Sequence, residues 1–77
     1  MRFPIVIDDP RVKSAYIETG DQVDPYTDTA SGRLVVEFTG PLTTFDLPNR
    51  VSGDFIREKR LPENPKLWDV CAMFRSS

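Results

Sequence analysis

Histidine is absent from this chain, and cysteine occurs once, as Cys71. Without histidine, neither a Ser-His-Asp triad nor a Cys-His pair can be assembled from this chain alone. A single thiol cannot form an intramolecular disulfide, which excludes a small secreted disulfide scaffold. It also lacks the second thiol of a structural zinc site. No apolar run approaches the roughly 20 residues needed to span a bilayer. The apolar run in Met1–Asp8 is too short for a signal peptide, so a cytoplasmic location is expected. A basic surplus is missing too. The net charge is −2, which argues against a general nucleic-acid binder. With 77 residues the chain reads as a single domain, residues 1–77. Its core is small, because a chain near this length buries only about 60% of its unfolded surface.

What is present organises around residues 33–47. Leu34, Val36 and Phe38 alternate with Arg33, Val35, Glu37 and Thr39. This period of two, rich in β-branched and aromatic side chains, predicts a half-buried strand. Gly40-Pro41 suits a two-residue turn of type II′, since glycine accepts positive φ and proline fixes the next residue. That loop places Thr39 opposite Leu42, Val36 opposite Phe45 and Leu34 opposite Leu47. Apolar residues of both strands then share a face, and a one-residue slip would separate them.

In chain order, Arg2–Ile7 is a first strand with Phe3, Ile5 and Ile7 on one face. Pro4 cannot donate to a ladder, so it belongs on a sheet edge or with its nitrogen facing outward. Asp8-Asp9-Pro10-Arg11 is a turn, with Pro10 at the first central position. Val12–Thr19 is a second strand with a weaker pattern. Residues 20–32 form a connection long enough to expect function or disorder. Residues 54–60 fit either a short helix started by Ser52 or a strand with Phe55 inward, with a strand or irregular edge favoured, and Arg57, Lys59 and Arg60 form the most basic stretch. Asn64 and Pro65 are a good N-cap and first helical residue. Leu67, Val70, Cys71 and Phe74 follow as an apolar helical stripe, with Arg75 near the negative end of the helix dipole. The expected fold class is α+β: a small antiparallel sheet of four to five strands with one C-terminal helix packed on a face.

Several groups invite a chemical reading. Asp8-Asp9 reads as a turn signal rather than a metal pair. Cys71 reads as buried packing. Trp68 is either core or an interface anchor, with core favoured on an amphipathic helix. The Arg57/Lys59/Arg60 group, interrupted by Glu58, reads as a solvated charged face. The most suggestive surface is the acidic connection: Glu18, Asp21, Asp24, Tyr26 and Asp28, with no basic residue among them. Its spacing is not that of a calcium loop.

The expectation is a non-enzymatic protein-binding module without catalytic residues, metal or cofactor, acting through Glu18, Asp21, Asp24, Tyr26 and Asp28. More concretely, it is a small inhibitor of the phage or mobile-element kind, blocking a host nucleic-acid-processing complex. Its partner would be a protein with a basic nucleic-acid-binding groove, with no direct nucleic-acid contact and no membrane. The alternative is a small structural or regulatory subunit that homodimerises. An enzyme would need Arg57, Tyr16 or Tyr26 to converge in a cleft.

Overall fold

Four antiparallel strands run as a meander in the order β1-β2-β3-β4: β1 Arg2–Ile5, β2 Val12–Glu18, β3 Arg33–Phe38 and β4 Leu42–Asp46. A helix, α1, spans Leu67–Phe74. This computed structural model describes residues 1–47 and 57–74. It is the α+β arrangement that the pattern predicts.

Alternation builds the core. Phe3 and Ile5, Ala15 and Ile17, and Leu34, Val36 and Phe38 share one face of the sheet. Ile17, Leu34, Leu47, Leu67, Val70 and Cys71 are almost fully buried and belong to one apolar cluster. The helix therefore contributes its predicted stripe, Leu67, Val70 and Cys71, to the face that the strands present, and Phe74 packs at the margin. Removing the apolar surface of these side chains from water is the main stabilising term, about 1.5–3 kcal/mol for each large aliphatic residue.

The first hairpin follows its predicted turn. Asp9 carbonyl accepts from Val12 N–H at 2.9 Å, which places Pro10 at the first central position. The Asp9 carboxylate also accepts from the Arg11 amide at 2.8 Å and holds the Arg11 guanidinium at 3.1 and 2.7 Å. These bonds lower the Asp9 pKa from 3.8 to about 2, with the Arg11 side-chain bond the largest cause. β1 ends at Ile5, two residues before the predicted end. Met1 and Thr19 exchange two backbone bonds, each 2.9 Å, so Pro4, opposite Tyr16, sits at a non-hydrogen-bonded position. Its nitrogen faces the outer edge, as expected.

The second hairpin departs from prediction by two residues. Leu34 pairs with Phe45, Val36 with Thr43 and Glu37 with Leu42. The faces are conserved because the shift is even. Two groups account for it. The Thr39 amide, which a two-residue Gly40-Pro41 turn would direct at Leu42, donates instead to the Arg11 carbonyl at 3.0 Å. In the observed register Phe38 would come opposite Pro41, which has no N–H to return. The ladder therefore stops at Glu37 and Leu42.

Three further expectations change. Asn64-Pro65 does not open the helix. It starts at Leu67, and the Asp69 carboxylate reaches back to the Lys66 amide at 2.9 Å, the acidic half of a capping box. Arg57–Lys59 takes the helical alternative rather than the favoured strand, and Arg60 ends it in the left-handed region at φ 58°. Residues 54–56 and the dipole partner Arg75 lie outside the described residues. Val35 is buried although it lies on the outer face, in register between Tyr16 and Thr44.

On that outer face one row of charges alternates across all four strands: Arg2, Glu18, Arg33 and Asp46. Arg2 meets Glu18 at 3.4 Å, Arg33 meets Asp46 at 3.1 Å, and the Arg2 guanidinium lies 4.8 Å from the centre of the Tyr16 ring. These exposed pairs contribute about 0–1 kcal/mol each and serve register more than stability.

Two predictions follow from the turns. Gly32 has φ 99°, and a Cβ there would collide with the Glu18 carbonyl oxygen. Gly32→Ala is expected to destabilise the fold by on the order of 1–3 kcal/mol, read from urea unfolding. A depressed folded-state carboxyl pKa supports folding above about pH 3.8, and this support is lost as pH falls through about 2. NMR titration should show Asp9 ionising near 2 in the wild type and back towards 3.8 in Arg11→Ala.

Candidate functional site

Residues 20–32 are not an open loop. Asp24 and Pro25 carry the same cap-then-proline signature that Asn64-Pro65 advertises. The Asp24 side chain accepts from the Tyr26 amide at 2.9 Å. Its carbonyl accepts from the Thr27 and Asp28 amides at 3.2 and 2.8 Å. One tight turn results. Asp28 then accepts from the Ser31 hydroxyl at 2.9 Å.

This turn docks against the start of α1. Leu67 N–H donates to the Asp28 carbonyl at 2.9 Å, and Trp68 N–H to the Pro25 carbonyl at 2.6 Å. Ala30 N–H donates to the Pro65 carbonyl at 3.0 Å, and Thr29 and Lys66 form an antiparallel bridge. The first amides of a helix have no partner within it, and loop carbonyls supply them here. Ala30 is buried and Val23 packs against the core, so the loop is pinned by side chains as well.

Docking brings Tyr26 onto Trp68. Their ring centres are 4.9 Å apart and the planes are inclined by 30°. Tyr26 is 62% exposed while Trp68 is half-buried, so Trp68 is a platform between core and surface. Asp24 and Asp28 belong to the same turn as Tyr26, and Asp69 follows Trp68 in the first turn of the helix.

Of the five residues singled out from sequence, three come together: Asp24, Tyr26 and Asp28. Asp21 is exposed on the preceding bend, beside Gln22 in the left-handed region at φ 59°. Glu18 belongs to the outer face of the sheet, opposite Arg33 and paired with Arg2. Asp69 has no part in the sequence expectation, and Trp68, weighed there as core or interface anchor with core favoured, stands outside its candidate set. A lone tryptophan beside the helix start, together with a second Asp-Pro cap far upstream, is the available signal. Nothing local says that the two meet.

A separate apolar pocket of about 240 Å³ lies at the other end of the sheet, lined by Val12, Val36, Phe38, Phe45 and Phe74, with Asp9 and Arg11 at its rim. Neither Tyr16 nor Tyr26 lines it, and Arg57 is not part of it. Among the described residues no group of three or more His, Cys, Asp or Glu is placed to hold a metal ion. No described helix is long and apolar enough to cross a membrane.

Trp68 is the single tryptophan, so its emission reports directly on this contact. Tyr26→Ala should shift the emission to the red and increase acrylamide quenching, with the far-UV circular dichroism unchanged. An unaltered spectrum would mean that Tyr26 does not cover Trp68 in solution.

Compared with known proteins, the chain matches no family model, no curated protein and no solved structure.

Proposed function

We propose that this chain is a non-enzymatic protein-binding module whose contact surface is the docked acidic turn, with Tyr26 at its centre, Asp24 and Asp28 beside it and Asp21 on the preceding bend. The observation that carries the reading is the exposed Tyr26 ring, held on Trp68 at 4.9 Å beside the cap carboxylate of Asp24. Tyrosine is enriched at binding hot spots. A ring already held in place loses less side-chain freedom on association.

Carboxylates on such a surface attract a basic partner, steer its approach and can stand where phosphates would bind. In its concrete form the module is a small inhibitor of the phage or mobile-element kind, blocking a nucleic-acid-processing protein at its basic groove. Small size and the lack of histidine support this form in general terms. Glu18, engaged with Arg2, lies on the outer face and is peripheral to the surface proposed.

The test is affinity capture from cell lysate with mass spectrometry, comparing three proteins. These are the wild type, a variant with Asp21, Asp24 and Asp28 changed to Asn, and Tyr26→Ala. Asparagine keeps a cap acceptor at position 24, so the triple variant is expected to fold. A stoichiometric partner captured by the wild type and lost by both variants is the expected result. It should also weaken as salt rises, because screening shortens the reach of surface charge. A partner retained by both variants would place the interface elsewhere and contradict the reading.

A further inference from the structure

The two outer strands of the sheet are not equally guarded. Sheet edges expose unpaired N–H and C=O groups, and natural proteins blunt them with proline, lysine, bulges or covering segments. On β1, Pro4 sits with its nitrogen outward, so that edge lacks a donor at its centre. Among the described residues β4 has no such device: Leu42–Asp46 holds no proline, lysine or bulge. The Leu47 amide donates to the Gly32 carbonyl at 2.9 Å, which sets the bonding phase of the β3-β4 ladder. Leu34-Phe45 and Val36-Thr43 are then the hydrogen-bonded pairs. The N–H and C=O groups of Leu42, Thr44 and Asp46 point away from β3. All three residues are exposed, Leu42 at 58%. No described residue outside β3 hydrogen-bonds to this edge.

We infer that the β4 edge is a self-association surface, and that its occupant is β4 of a second copy of this chain, joined antiparallel about a two-fold axis through Thr44. Only this register uses all three outward residues: Thr44 meets Thr44 of the copy, and Leu42 meets Asp46 in both directions. Facing threonines are a favourable cross-strand pair. The charges agree with it too. Asp46 lies opposite Leu42 rather than its own equivalent, whereas a two-fold axis at Asp46 would oppose two carboxylates. The result is one continuous eight-stranded sheet that leaves the Tyr26 turn uninvolved. Two short strands bury little area, so the dimer is weak and concentration-dependent.

Sedimentation equilibrium over a concentration series up to the millimolar range tests this, with three variants beside the wild type. The wild-type mass should climb from 8.8 kDa towards twice that value. Thr44→Pro removes only the outward N–H and should stay monomeric with an unchanged circular dichroism spectrum. Facing residues in a bonded antiparallel pair are about 5.5 Å apart at Cα, within disulfide reach. Under mild oxidation Thr44→Cys should therefore give a covalent dimer, and Thr43→Cys, offset from the axis, should not. The buried Cys71 gives little background. A wild type that stays monomeric throughout would overturn the inference. So would a dimer in which Thr44→Cys fails to cross-link, and this second outcome decides the matter even where Thr44→Pro does not fold.

Discussion

Three backbone hydrogen bonds tie this molecule together: Ala30 to Pro65, Leu67 to Asp28 and Trp68 to Pro25. An eight-residue helix is too short to stand alone in water. It persists because its apolar stripe is buried and because its leading amides find acceptors in the loop. The loop in turn would have no reason to hold one shape without the helix. Each segment supplies what the other lacks. The sheet provides the apolar face on which both rest, with Leu67, Val70 and Cys71 joining Ile17 and Leu34.

This mutual dependence gives the acidic turn its character. A thirteen-residue connection (20–32) would ordinarily wander, at an entropic cost to any partner that had to order it. Here Val23 and Ala30 reach inward, Asp24 caps its own turn, Asp28 holds the Ser31 hydroxyl, and Tyr26 lies against Trp68. The carboxylates thus have structural duties, and a surface that presents them does so in a fixed arrangement. The opposite side of the sheet is built differently. Its row of Arg2, Glu18, Arg33 and Asp46 satisfies itself in pairs.

Much of the fold is legible in the chain because local rules and the apolar pattern agree. The alternation of Leu34, Val36 and Phe38, the turn at Pro10, the outward Pro4 and the helix stripe all follow from period, propensity and proline geometry. What is not legible depends on partners distant in sequence. The second hairpin slips by two because Thr39 serves the Arg11 carbonyl, a group 28 positions earlier. The helix starts late because Lys66 is committed to the bridge with Thr29. Within the acidic set, the structure brings Asp24, Tyr26 and Asp28 together, and sequence alone could not set Glu18 apart, since only strand register places it beside Arg2. For Trp68 the sequence offers an interface role but favours the core, because amphipathic spacing alone points inward.

The most direct test is amide hydrogen exchange followed by NMR at the junction. If loop and helix hold each other, the Ala30, Leu67 and Trp68 amides should be protected by orders of magnitude. They should also open together with core amides such as that of Ile17 as denaturant is added. The exposed bend at Asp21 and Gln22 should exchange at the rate of an open chain. Unprotected Leu67 and Trp68 amides beside a protected sheet would contradict the account, leaving a meander with a loosely tethered helix.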